Sequence, residues 1–298
     1  MEITNPILCE QVGAIRDPMI LPYGGRYYMV GTTKEFWEGE NPGVKLWRSD
    51  NLTDWEFVKL IVNAAEIPSD RDYTDRFWAP ELFEYGGRVF CVFNAHNAKK
   101  MPLNVGLRSF IAWSDRIDGE YTVCDKPLIE GDFTTNDAHL FADDDGKVYL
   151  FYTTGDVILR NEFDPYTFKV SPTAHTVIRK GELGEWDSAG IEGSFVIKRG
   201  GLYYHWYSSW TRGYEMGLAV TDSLEHPFRK LDINPVITGF EKDCRLNYCG
   251  HNSCFVLPDG GDAIAFHAAG KGFNESLCIN RVKYPVTESN VPDLTVTI

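Results

Sequence analysis

Three carboxylic acids and a histidine are spread along this chain in a way that suits one kind of chemistry. Asp17, Asp137, Glu192 and, further on, His251 each stand at the start of an apolar, strand-like run, far apart in sequence. One charge at such a place is ordinarily a solvated strand end. Two Asp and a Glu at equivalent places are different, because like charges that converge destabilise a fold unless they serve a reaction. Three convergent carboxyls suit cleavage of a glycosidic bond. One carboxylic acid protonates the leaving oxygen and one carboxylate works on the opposite face of the sugar. The third raises the pKa of the acid and orients it. Taken singly, Asp17 reads as the opener of an Asp-Pro turn and Glu192 as an exposed strand-end charge; only the joint pattern favours catalysis. Aromatic side chains able to stack on sugar faces lie near the same ends at Phe36, Trp37, Phe77 and Trp78.

What makes these places equivalent is a repeat. Five times a Gly-centred turn runs into an aromatic-rich strand, at Gly25, Gly87, Gly146, Gly201 and Gly261, in steps of 62, 59, 55 and 60 residues. A fixed period of this length marks one supersecondary unit arrayed several times. In each copy a first strand enters the turn, where glycine supplies φ > 0 without steric cost. A second strand dense in Tyr, Phe, Val and Trp follows, then a third that ends in a polar turn such as Ser49-Asp50, Ser114-Asp115 or Thr221-Asp222. A fourth strand closes the unit. No segment holds a 3.6-residue apolar period over three turns. Four antiparallel strands repeated five times predict an all-β, five-bladed β-propeller, a single domain over residues 1–298, rather than a β-sandwich. The first strand of each blade lines the channel. Counting back from each glycine reaches Asp17, the segment 78–81, Asp137, Glu192 and His251.

The bulk numbers narrow the class. A chain with 43% hydrophobic and 14% aromatic residues can build a large core, and 24% charged residues argue against disorder. A net charge of −14 speaks against nucleic acid or an anionic membrane as partner. No run approaches the ~18 apolar residues of a membrane span. The first seven residues have neither the basic nor the apolar part of a secretory signal, so a cytoplasmic protein is expected. The seven cysteines are odd in number and sit mostly in apolar runs, so they are expected reduced and buried. Cys249 and Cys254 around His251, with Cys244 upstream, could suggest zinc. The spacing fits no paired-cysteine pattern, however, and alternate strand residues face opposite sides. A histidine on the channel axis is the preferred reading. His139 and His267 read as packing or supporting residues, and Asp143, Asp144 and Asp145 as a hairpin turn rather than a metal loop. Arg281, in the last strand, is a candidate for binding a substrate hydroxyl, with Arg16, Arg76 and Arg212 as rivals.

Read together, the motifs resemble glycoside hydrolase family 43 in five places, in order and at blade spacing. Ile15-Arg16-Asp17-Pro18, followed by the segment 27–32, is similar to the family's opening motif, whose Asp is the general base. Trp78-Ala79-Pro80-Glu81 is similar to a Trp-Ala-Pro segment beside the substrate. The segment 137–149 resembles the one that carries the pKa-tuning Asp. Glu192-Gly193-Ser194 resembles the Glu-Gly-Pro of the general acid, with Ser194 in place of the Pro. Gly250-His251-Asn252 is similar to a late Gly-His motif whose His sits on the channel axis, often near a calcium ion or water.

The resemblance implies that Asp17 activates the attacking water and Glu192 protonates the departing sugar, while Asp137 holds Glu192 in its protonation state. It implies single displacement with inversion and a carbohydrate partner. No cofactor is required, and a structural calcium on the channel axis, reached by His251 through water, is left open. The family mostly removes pentose units, so an exo-acting α-L-arabinofuranosidase is expected, slightly ahead of a β-D-xylosidase. The segments 34–42 and 63–76 are expected to wall one end of the pocket. Many xylosidase members carry an extra C-terminal β-sandwich; this sequence stops about where the fifth blade stops, so none is expected. Endo-acting arabinanase, a non-catalytic carbohydrate-binding propeller and a phosphate-dependent glycoside phosphorylase are the alternatives.

Overall fold

The computed structural model describes residues 3–33, 41–239 and 245–286, and these form the five-bladed β-propeller that the repeat predicts. The first blade is β1 (Ile15–Tyr23), β2 (Arg26–Thr33), β3 (Gly43–Ser49) and β4 (Glu56–Asn63). The second is β5 (Asp75–Tyr85), β6 (Arg88–His96), β7 (Arg108–Ser114) and β8 (Thr122–Val123). In the third, β9 (Asn136–Ala142), β10 (Val148–Thr154) and β11 (Val157–Asp164) are followed by β12 (Lys169–Val170) and β13 (His175–Arg179), both paired with β11. The fourth is β14 (Glu192–Arg199), β15 (Leu202–Ser209), β16 (Glu215–Thr221) and β17 (Arg229–Lys230). The fifth is β18 (Leu246–Val256), β19 (Asp262–Gly270) and β20 (Phe273–Arg281). The first strands β1, β5, β9, β14 and β18 touch one another in that order, and β18 touches β1 again, which closes the ring.

The blades follow the four-stranded antiparallel plan of the repeat, with local variation at two of them. The third has five strands, and the fifth has three among the described residues. The outer edge of the fifth is covered by the other end of the chain. Ile7 bridges Leu277, its N–H donating to the Leu277 carbonyl at 2.7 Å. The fully buried Asn5 donates from Nδ2 to the Ile279 carbonyl (3.1 Å) and accepts the Ile279 N–H at Oδ1 (2.8 Å). An open edge would leave unpaired backbone groups, and this clasp removes one while locking first blade to last.

A blade is packed between two others, so its middle strand is buried on both faces. β10 reads Val-Tyr-Leu-Phe-Tyr-Thr in unbroken burial rather than in alternation. Phe90, Val92 and Ile111 of the second blade pack there against Leu140, Val148 and Leu150 of the third. At the channel end each first strand breaks register against its neighbour. The slips fall between Arg16 and Met19, on both sides of Trp78, at Asn136–His139, between Glu192 and Phe195, and around Gly250. Asp17 (φ 53°), Ala79 (43°), Asp137 (51°), Gly193 (69°) and His251 (48°) occupy these bulges in the left-handed region. That conformation costs a non-glycine residue ~1–2 kcal/mol, and a bulge re-aims the side chain it carries.

Candidate active site

The bulges turn four of the sequence-predicted residues toward one cavity of ≈ 380 Å³, faced by Asp17, Asp137, Glu192 and His251. They come from β1, β9, β14 and β18, four different blades. Gly193, next to Glu192, is a close approach: a Cβ there would stand 3.3 Å from His251 Cγ, on top of its positive φ. Its N–H donates to Asp137 Oδ2 at 2.8 Å. The Glu-Gly pair thus joins the third blade to the fourth directly beneath the two carboxyls.

Each acid has a distinct environment. Asp17 Oδ2 accepts the Thr32 hydroxyl at 2.6 Å, and its Oδ1 lies 3.3 Å from His251 Nδ1. The Asp17 N–H donates to His267 Nδ1 at 3.1 Å. That imidazole is therefore neutral, as its fully buried position demands, and its pKa lies well below the ordinary histidine value. Burial pushes the Asp17 carboxyl up, but His251, Arg16 and the Thr32 hydroxyl together outweigh it and hold the group below the ordinary aspartate value. Glu192 goes the other way. Burial and then the Asp137 charge push it up to about 7, against the opposing pull of a Tyr214 hydrogen bond and of His251. Asp137 is also raised, by burial and by Asp17, although Gly193 and Asn94 donate to it. His251 is lifted above the ordinary histidine value: burial opposes the charge, but Asp17, Asp137 and more distant Glu81 and Glu192 favour it. A carboxylate held ionised and a carboxylic acid held protonated across one cavity can accept a proton and donate one at the same pH.

Below the cavity, Glu81 Oε2 accepts from His139 Nδ1 at 2.7 Å, and His139 Nε2 accepts the Val196 N–H at 3.0 Å. This buried strut ties the second, third and fourth blades together, the supporting role expected of His139. His267 supports the site through the Asp17 backbone.

Trp78 lines the cavity as expected, with the Arg76 guanidinium 5.7 Å from its ring centroid. Phe77 does not: it is 1% exposed and packs on Phe93 in the core. Phe36 and Trp37 lie outside the described residues. Arg281 is a correction. It ends β20 at the hairpin side, where its guanidinium pairs with Asp259 at 2.5 Å in the β18–β19 turn, remote from the channel mouth. Of its rivals, Arg16 lines the cavity, while Arg212 is bonded to Glu215 at 3.0 Å. The segment 63–76 is drawn elsewhere too. The Ser69 and Arg71 carbonyls accept from Asn97, and Asp72 pairs with Lys100, so it packs on the β6–β7 connection; the cavity is lined without it. Asp143 is in the hairpin as predicted, bonded to Lys198 and Tyr203.

Three lining residues were missed from sequence: Asn136, Trp210 and Tyr214. Asn136 Nδ2 stands 3.3 Å from Glu192 Oε2, and the Tyr214 hydroxyl donates to Glu192 Oε1 in a short hydrogen bond. Trp210, 44% exposed, rests on Gly190, where a Cβ would come within 2.3 Å of its ring. The signal was topological. In an antiparallel blade the connection between second and third strands returns to the end where the first strand starts, and Trp210 and Tyr214 occupy that connection.

Among the described residues no group of three or more His, Cys, Asp or Glu side chains is arranged to hold a metal ion. His251 Nδ1 faces Asp17 and Asp137, Cys249 is buried within β18, and Cys254 lies 3.6 Å from the Tyr284 hydroxyl, while Cys244 lies outside the described residues. No helix among the described residues is long and apolar enough to cross a membrane.

A propeller that gathers three unlike carboxyls at its channel mouth is the scaffold of a glycosidase family. The chain belongs to the glycosyl hydrolases family 43, whose profile matches residues 3–286. It is 28% identical over 274 residues to a xylosidase/arabinosidase 43B of Humicola insolens, covering 87% of this chain and 48% of that one. It is 27% identical over 251 residues to a protein of Escherichia coli (strain K12) named as a putative beta-xylosidase, covering 80% and 43%. The chain thus spans about half the length of these curated relatives. Among solved structures, a thermostable family-43 glycoside hydrolase superimposes with a TM-score of 0.80 at 27% identity, covering 95% of this chain and 93% of that one.

Proposed function

We propose that this chain hydrolyses glycosidic bonds with inversion, releasing single terminal pentosyl units, α-L-arabinofuranosyl or β-D-xylosyl, from carbohydrate. The observation that carries the reading is the separation of two carboxyls on one cavity: Asp17 held below its ordinary value, Glu192 lifted to about 7. Asp17 takes a proton from the attacking water as the water oxygen bonds to the anomeric carbon. Glu192 gives its proton to the glycosidic oxygen as that carbon–oxygen bond breaks. Asp137 keeps Glu192 protonated between turnovers, and its bond to the Gly193 N–H fixes where the acid stands. His251, charged between Asp17 and Asp137, keeps their mutual repulsion from raising the base. Trp78 and Trp210 offer faces for sugar rings. No step passes through a metal, and calcium on the channel axis is left as an expectation without a role.

The choice of pentose rests on the names of the relatives, xylosidase and xylosidase/arabinosidase, and on the cavity. A volume of ≈ 380 Å³ is near the small end of ligand pockets (~300–1,000 Å³) and suits one or two sugar rings better than a long chain. The test is a panel of aryl α-L-arabinofuranosides, β-D-xylosides and β-D-galactosides, with the first-formed anomer read by NMR. Release of an inverted pentose is expected. Turnover that requires added phosphate would make the chain a phosphorylase, and binding without turnover would make it a carbohydrate-binding propeller.

A further inference from the structure

Tyr214 stands in the connection that runs from β15 into β16, buried, with nothing in the sequence motifs to mark it. Its ring has one place to be. The Arg16 guanidinium carbon lies 5.5 Å from its centroid, and the His267 ring 5.2 Å away. On another side is Gly250, where a Cβ would overlap the tyrosine ring at 1.6 Å from Cδ1. The glycine of the Gly-His pair is thus required by the phenol beside it. Held by residues of the first and fifth blades, a side chain of the fourth blade can aim its hydroxyl in one direction only. It aims at Glu192 Oε1.

Building on the hydrolytic reading above, we propose that Tyr214 is the positioning residue of the acid: its hydroxyl occupies Glu192 Oε1, leaves the transferable proton to Oε2, and keeps the carboxyl from binding that proton too tightly. The chemistry is that of two oxygens with unequal partners. Buried and facing Glu192, the phenol is held well above its ordinary pKa and stays protonated, so its O–H always needs an acceptor, and Oε1 supplies it. Among the described residues Oε2 has the longer contact to Asn136 Nδ2, at 3.3 Å, and can carry the proton that leaves with the sugar. The groups that face Glu192 are Asp137 of β9, Asp17 and Arg16 of β1, His251 of β18 and Tyr214 itself. Asp137 and Asp17 favour the protonated acid, whereas His251, Arg16 and the Tyr214 hydroxyl favour the ionised form. Of the last three, Tyr214 is bonded to the carboxyl directly.

The experiment is Tyr214→Phe, which keeps the ring and its packing and removes only the hydroxyl. Losing a donor to the carboxylate makes Glu192 hold its proton more firmly. The basic limb of the pH profile of kcat/KM should move up, by on the order of half to one pH unit. kcat should fall roughly tenfold on substrates with poor leaving groups, which need the proton, and change little on dinitrophenyl glycosides, which do not. KM should stay near that of the unaltered protein. Carbon-13 NMR titration of the Glu192 carboxyl should show the same upward move. An unmoved basic limb together with an unmoved carboxyl titration overturns the proposal, as does an equal loss on good and poor leaving groups, which would mark a packing role. Failure of the hydrolytic reading shows separately, as absence of turnover by the unaltered protein; the carboxyl titration then still decides whether Tyr214 governs Glu192.

Discussion

At the hairpin ends of the first strands, Gly24 and Gly25, Gly86 and Gly87, Gly146, Gly200 and Gly201, and Gly260 take φ between 57° and 81°. These turns are exposed, and glycine enters that region without steric cost. At the channel ends of the same strands, Asp17, Ala79, Asp137 and His251 adopt the same backbone region with side chains attached, buried, and three of them carry titratable groups. One end is uniform and unstrained; the other is varied and costly. The difference shows where this fold stores its conformational and electrostatic strain, in the residues that face the cavity.

The contrast can be broken most forcefully at Glu192. Glu192→Gln keeps the shape and removes the proton donor, so kcat/KM on substrates with poor leaving groups should fall by ~10²–10⁴-fold. The same variant should be the more stable protein at alkaline pH. The folded-state value of about 7 lies above the ordinary 4.5. The stability contributed by the protonated carboxyl is therefore complete below about 4.5 and is lost as pH rises through about 7. Gln does not ionise, so its Tm advantage should open between pH 5 and pH 8. Equal Tm values at pH 8 would mean that the acid is not strained in the fold.

Asp137→Asn tests the neighbour. Without that anion the basic limb of the activity profile should move down from about 7, opposite in direction to Tyr214→Phe, with roughly tenfold lower kcat/KM at pH 7 for each pH unit of movement. A limb that stays put would assign the raised acid to burial alone. The smallest effects compare the two strand ends directly by urea unfolding. Gly201→Ala, in open space at φ 80°, should cost about 1 kcal/mol. Ala79→Gly, at φ 43°, should be neutral or stabilising by up to about 1 kcal/mol. Similar losses at both positions would deny that the channel end is the strained one.

What could be read from the sequence follows the same division. The glycine turns repeat because only glycine meets their backbone requirement, so the period and the five blades were legible. Asp17, Asp137, Glu192 and His251 were legible because the period gave each an address. The bulges that aim them were not, since a bulge is a mismatch between two strands and neither strand alone contains it. Tyr214 and Trp210 were missed because they lie in a connection with no repeated pattern. Arg281 was misplaced for a simple reason: β20 carries it to the hairpin end, where Asp259 is the nearest countercharge. The fourth place of the last blade could not be foreseen either, because Asn5 and Ile7 find their partners more than 250 residues away.

That clasp has a consequence for how the protein comes into being. During synthesis the residues that hold Asp17, His251 and His267 among them, emerge after the first four blades, as do Leu277 and Ile279, which receive the segment around Asn5 and Ile7. The second, third and fourth blades can collapse while the chain is still being made, bringing Asp137 and Glu192 together early. The base waits for the final blade, and the long loop that must then close makes this the slow, low-probability event of folding. A nascent chain halted before residue 267 would own an acid and its tuning partner but no finished base.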